Sequence, residues 1–229
     1  MTTRIAILFL IALFNVACLC STGSGLTEEE VTQTHAPVNK QTNILIIGDS
    51  ISRGYFMPVQ ESLDGKAEVT RSSTGLIPDE PEQWDALLGE MKWDVITFNW
   101  GLHELKQGTP EELKKRTTDY LKRLETAIVH LKKTNAKLIF VTTTPVPEPN
   151  KHKRLNTYVL SYNKGATALM REHAIAVCDQ YAIIEPVHEK HEIPSDKPGL
   201  RDVHFKASGS AIMGDALAKA IVNELSDKE

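Results

Sequence analysis

The chain has 229 residues, of which 41% are hydrophobic and 24% charged, and its formal net charge is −4. This length suits one sizeable α/β domain rather than two. The charge balance argues against a nucleic-acid partner, and basic clusters such as Lys114-Lys115-Arg116 fall in a helical pattern, where they read as a solvated face.

The chain opens with Arg4, then a nearly unbroken apolar run from Ile5 to Phe14, then the small residues of Val16-Ala17-Cys18. That order is the layout of an export signal, assigned to residues 1–20. The apolar run is shorter than the roughly 20 residues that a membrane span needs. Ala17-Cys18 also resembles a bacterial lipoprotein signal, with Asn15 where leucine is usual, and Cys20 is a competitor for Cys18. The expectation is an exported chain, periplasmic or extracellular, that meets a membrane only through a lipid at Cys18. Residues 21–41, rich in Ser, Thr, Gly and Glu without an apolar period, read as a flexible tether, and 42–229 as the folded domain. Cys178 is then the only cysteine of the domain, which excludes an internal disulfide framework.

Within the domain, Asn43-Ile44-Leu45-Ile46-Ile47 has the continuous apolar character of a parallel strand buried on both faces. Further strands are predicted at Ala67–Arg71, Trp93–Phe98, Lys137–Thr143 and Ile175–Asp179. The best-marked helix starts at Thr109, an N-cap followed by Pro110 at the first position and Glu112 completing a capping box. Leu113, Thr117, Tyr120, Leu124, Ile128 and Leu131 follow at helical spacing. Two more helices are predicted at Asn156–His173 and Ser208–Glu224. This alternation predicts a three-layer α/β/α sandwich around a parallel sheet of about five strands, with ligands gathering at the carboxyl ends of the strands.

Two segments carry chemistry. The first strand ends in Gly48-Asp49-Ser50, where a serine opening a helix can present its hydroxyl to a cleft. A helix cap by Asp49 or Ser50 is the plainer use of the same residues. Near the other end stands Asp202-Val203-His204. A serine needs a base to become nucleophilic, and histidine serves near neutral pH. Asp202, two residues before His204, falls on the same side of an extended segment and can orient the ring. Alternatively, a backbone carbonyl holds the ring and leaves a dyad.

In that order, with Gly75 after the second strand and Gly101-Leu102-His103-Glu104 after the third, the chain resembles the SGNH (GDSL-like) hydrolases from about Asn43 to Leu225. The resemblance implies a flavodoxin-like sheet, a Ser50 nucleophile, a His204 base and Asp202 as the orienting acid. It further implies an oxyanion hole from the N–H groups of Ser50 and Gly75 and a third donor at position 103. Two departures stand out. His103 and Glu104 occupy the places of the family's asparagine and aspartate, and the acid precedes His204 by two positions, with Arg201 at the third. A neutral imidazole can donate one N–H; Asn99 is the alternative donor, its plainer use being to satisfy backbone groups at the end of a strand.

Trp100 and Asn99, beside the third block, are the candidate substrate contacts, whereas Trp84 and Trp93 read as packing residues. His188, His191 and Glu192 cluster between Pro186 and Pro194 and read as a loop, without the spacing of a zinc-protease helix. Neither a metal nor a cofactor is implied. The implied reaction is hydrolysis of a carboxylic ester through an acyl-enzyme. The low aromatic content (6%) and the export signal suggest removal of a short acyl (acetyl) group from a carbohydrate, the substrate being a small ester or acylated carbohydrate. The rivals are a lysophospholipase or thioesterase of the same fold, and a non-catalytic carbohydrate-binding protein on a decayed hydrolase fold.

Overall fold

The computed structural model describes residues 41–226. The segments read as an export signal and a tether, but for Gln41, lie outside the described residues. Five strands form one sheet: β1 (Thr42–Gly48), β2 (Ala67–Ser73), β3 (Val95–Phe98), β4 (Lys137–Val141) and β5 (Ala176–Cys178). They are parallel throughout, in the order β2-β1-β3-β4-β5. The apolar run of β1 is the reason for its central place: Ile44 to Ile47 are buried on both faces, and only helices on each side can cover them.

The helices are α1 (Ser50–Ser62), α2 (Pro81–Leu88), α3 (Pro110–Lys132), α4 (Asn156–Glu172), α5 (Gln180–Ile184), α6 (His188–His191) and α7 (Ala207–Ser226). α1 packs on α7 and α3 on α4, so the sheet lies between two helical layers. The α3–α4 seam carries a stacked pair, Tyr120 and Tyr162, with ring centres 4.7 Å apart.

The capping box read at Thr109 forms as expected: Thr109 Oγ1 accepts from Glu112 N at 3.2 Å, and Glu112 Oε2 accepts from Thr109 N at 2.8 Å. Differences from the sequence reading fall mostly at element ends. β3 starts at Val95, and the Trp93 indole before it turns back to donate to the Leu88 carbonyl at 2.8 Å. β5 is trimmed to Ala176–Cys178. Helix α2 escaped notice because its start signal, Gln83 Oε1 accepting from the N–H groups of Asp79 and Glu80, sits in a polar stretch. The His188–Glu192 stretch, read as a loop, contains the single turn α6.

One consequence of the strand order matters for chemistry. The chain moves outward from β1 to β2 on one side and through β3, β4 and β5 on the other. The connections therefore diverge at the carboxyl ends of β1 and β3 and leave a crevice there. Ser50 follows β1 directly, and Gly101-Leu102-His103 follows β3.

Candidate active site

The first block divides its two polar residues between separate tasks. Asp49 caps α1, its Oδ1 accepting from Ile51 N at 2.8 Å. The capping duty that either residue could have taken thus falls to Asp49, and the Ser50 hydroxyl remains free. Behind the turn, Arg71 of β2 donates to Ser52 Oγ and to the Asp49 carbonyl, each at 2.8 Å, and to Ser73 Oγ at 3.1 Å. Ser52 Oγ itself donates to the same Asp49 carbonyl at 2.7 Å. Arg71 is invisible as a site residue in the sequence; its one signal is a long cation in a strand paired alongside the apolar β1.

Ser50 Oγ lies 2.8 Å from His204 Nε2, although the two residues are 154 positions apart in the chain. On the other side of the ring, His204 Nδ1 lies 2.5 Å from Asp202 Oδ1, and that oxygen also accepts from the His204 main-chain N–H at 2.8 Å. The Asp202–His204 segment is bent rather than extended, so one carboxylate oxygen grips both ring and backbone. Partial burial alone would raise Asp202. The His204 N–H, ring and charge, with Lys151 nearby, outweigh it and hold the carboxyl below the usual range. The dyad alternative, with a backbone carbonyl on Nδ1, does not form.

The segment carrying His204 is anchored from several directions. Ile193 N donates to the His204 carbonyl at 3.0 Å, and Lys206 N to the His191 carbonyl at 2.7 Å. Arg201 is paired with the buried Glu192, Nη2 to Oε2 at 2.6 Å. His188 Nδ1 contacts the Glu185 carbonyl at 2.8 Å, and His191 Nδ1 contacts Ser208 Oγ at 2.7 Å. The histidine-rich cluster is therefore a brace for the His204 segment.

Position 75 lies just past β2, whose continuation is held by Thr74 N donating to the Gly48 carbonyl at 3.1 Å. The His103 ring rests against Gly75: a Cβ there would come within 3.0 Å of ring atoms Cε1 and Nδ1. Gly101 has φ +142° and abuts Thr143, so only glycine makes the turn that delivers His103. Tyr120 fixes the same turn by donating to the Trp100 carbonyl at 2.8 Å. His103, 43% exposed at its side chain, has Nε2 at 3.9 Å from Asp49 Oδ2. Ser50, Gly75 and His103 thus converge on one corner of the crevice.

Two candidate substrate contacts need correction. Trp100 is 1% exposed and packs inward, edge-on to Trp84 at 6.2 Å and tilted against Phe98 at 5.8 Å. Burial of this indole in the core is worth more than its use at a rim. Asn99, 7% exposed, donates from Nδ2 to the Val141 carbonyl at 2.7 Å, tying β3 to β4. Both residues belong to the scaffold. Trp84 and Trp93 are buried, as read from the sequence.

In the sequence Glu104 stands out only as a departure from the family's pattern. Both its carboxyl oxygens are shut off from solvent and make no hydrogen bond, and burial, opposed by the nearby main chain of Glu104, by Arg123 and by the Gly101 main chain and reinforced by Asp49, pushes its pKa up to about 7. Beside Ser50 and His204 opens a cleft of about 350 Å³ lined by Ile51, Arg53, Ile193, Phe205, Ser210 and Met213.

No protein-family model and no curated protein matches the chain in sequence. Solved structures do match in fold. An acetyl xylan esterase aligns at TM-score 0.60 with 19% identity, over 78% of this chain and 99% of that one. A lipase/acylhydrolase from Enterococcus faecalis aligns at 0.62 with 19% identity, over 82% and 100%. A member of the lipolytic G-D-S-L family from Veillonella parvula aligns at 0.59 with 20% identity, over 79% and 98%. The domain therefore has the three-layer α/β/α fold of the SGNH (GDSL) hydrolases, as the sequence motifs implied.

Proposed function

We propose that the protein is a serine ester hydrolase in which Ser50 is the nucleophile, His204 the general base and Asp202 the residue that orients the ring. The observation that carries this reading is the unbroken hydrogen-bonded line from Ser50 Oγ through His204 to Asp202 Oδ1, at 2.8 and 2.5 Å. In the proposed cycle His204 Nε2 takes the Ser50 proton while Oγ attacks the ester carbonyl. The Asp202 carboxylate fixes the tautomer with Nε2 free and stabilises the imidazolium that forms. The tetrahedral oxyanion is received by the N–H groups of Ser50 and Gly75 with His103 as third donor. His204 returns its proton to the leaving alcohol, and water attacks the acyl-enzyme by the same route in reverse.

A short acyl group on a carbohydrate is the preferred substrate in this proposal. It rests on the low aromatic content and on the fold shared with an acetyl xylan esterase. Export through residues 1–20, with a lipid at Cys18, belongs to the same reading. A longer acyl group is the second reading, favoured by the apolar side chains of Ile51, Ile193, Phe205 and Met213 in the cleft beside Ser50. Hydrolysis of p-nitrophenyl esters from acetate to octanoate by the wild-type protein and by Ser50→Ala separates them. The expected result is a preference for acetate and loss of turnover in the variant. A preference for octanoate selects the longer acyl group, and turnover indifferent to Ser50 removes the nucleophile.

A further inference from the structure

The ester-hydrolase reading leaves a buried cation beside the site unused. Arg154 is 8% exposed, and its guanidinium makes no hydrogen bond or ion pair among the described residues, with Nε shut off from solvent. Its main chain is the reverse. The N–H donates to Asn150 Oδ1 at 3.1 Å, and the carbonyl accepts from Asn150 Nδ2 at 2.8 Å. Buried Asn150 also holds the Pro147 carbonyl at 2.7 Å and the His152 N–H at 3.1 Å. The loop is thus rigidly built, yet it delivers a cation with no acceptor.

The loop stands beside the reacting groups. Arg201 N donates to the Pro149 carbonyl at 2.9 Å, and Asn150 bridges to Arg201, the residue before Asp202. Asp49, the residue before Ser50, and Glu104 are the negative charges that act on the guanidinium, and neither comes within ion-pair distance of it. Burial, then Arg154, Lys151 and His103, draw the neighbouring His152 down against the pull of Asp202. A buried charge without a partner is expensive, and such groups cluster where ligands bind. A guanidinium edge matches a carboxylate bidentately, which fixes orientation as well as charge.

We propose, resting on the ester-hydrolase reading, that Arg154, flanked by Lys151 and His152, is the subsite for a carboxylate carried by the ester substrate. The enzyme then prefers an acidic ester to a neutral one. The carboxylate can sit on the alcohol, as in an acylated uronic acid, or on the acyl group, as in a hemiester of a dicarboxylic acid.

The test compares kcat/KM of the wild-type protein and Arg154→Gln on three esters: an O-acetylated uronic acid, p-nitrophenyl hemisuccinate and p-nitrophenyl acetate. The expected result is a wild-type preference for one of the two acidic esters, which identifies the side that carries the carboxylate. In the variant, the ratio of acidic to neutral turnover falls on the order of 10–100-fold. Arg154→Lys, which keeps the charge and loses the fork, gives an intermediate ratio. Equal losses on all three esters, or no wild-type preference, overturn the subsite. A drop in melting temperature for Arg154→Gln would also overturn it, since it marks the guanidinium as a structural countercharge. In parallel, glucuronate, succinate and glucose are titrated by NMR into Ser50→Ala with and without Arg154→Gln, which separates this inference from the reading beneath it. If the wild-type protein cleaves no ester, glucuronate or succinate binding that Arg154→Gln abolishes still supports the subsite. Absence of binding, or binding indifferent to Arg154, contradicts it.

Discussion

The two walls of the crevice are built in opposite ways. On the Ser50 wall the side chains behind the turn are engaged: Asp49 caps α1, and Arg71 and Ser52 converge on the Asp49 carbonyl. On the facing wall, Glu104 and the Arg154 Nε are buried without hydrogen-bond partners. The contrast separates rigidity from recognition. Chemistry on an oxygen needs a nucleophile held within tenths of an ångström, and a satisfied network supplies that. Groups reserved for a ligand must remain unsatisfied in its absence, and the fold bears that cost elsewhere in its core.

Substitutions can break this contrast, and the largest effect belongs to the satisfied side. Asp202→Asn preserves shape but presents an amide to His204 Nδ1, favouring the wrong tautomer. Turnover should fall by about 10⁴-fold, read as kcat with KM little changed. A fall below tenfold would mean that the ring is oriented by something else. Next comes the corner shared by both walls: His103→Ala removes the proposed third oxyanion donor and should cost about 10²–10³ in kcat. An unchanged kcat would leave the two main-chain N–H groups sufficient.

Glu104, on the facing wall, should respond in stability rather than rate. Glu104 has a folded pKa near 7, above its unfolded value. Such a group contributes stability that is full below the unfolded pKa and lost as pH rises through the folded one. The wild-type protein should therefore lose about 3 kcal/mol between roughly pH 4.5 and 7 from this group, and Glu104→Gln should remove that descent. Chemical denaturation at pH 5 and pH 8 measures both slopes; equal slopes would show that the carboxyl is not strained. The smallest effect is expected at Arg71→Met. It should cost about 1–3 kcal/mol of stability, by leaving the Asp49 carbonyl short of a donor, and lower kcat through a looser Ser50 turn. Unaltered stability would mean that Ser52 alone holds the turn.

The same contrast governs what could be read before folding. β1, the Gly48-Asp49-Ser50 turn and the Thr109 cap are local patterns, set by neighbours within a few positions, and the structure shows each of them. The Ser50–His204 pair spans most of the domain and was legible only because both ends carry residues of complementary chemistry in a familiar order. Trp100 was misplaced because its adjacency to the third block says nothing about which way its ring turns; Trp84 and Phe98 decide that. Asn99 makes no substrate contact for the same reason, and its plainer use at a strand end holds: its amide is claimed by the carbonyl of Val141 on the next strand. Arg71 and Arg154 were missed altogether. Their roles follow from partners brought close by the sheet in one case, and from the absence of a partner in the other, and neither leaves a periodic trace.

The most direct test of an activated Ser50 is covalent labelling with a fluorophosphonate, read by intact mass and peptide mapping. Stoichiometric modification confined to Ser50, and lost in His204→Gln, is the expected result. Labelling at another residue, or at Ser50 with undiminished rate in His204→Gln, would contradict the Ser50–His204–Asp202 mechanism.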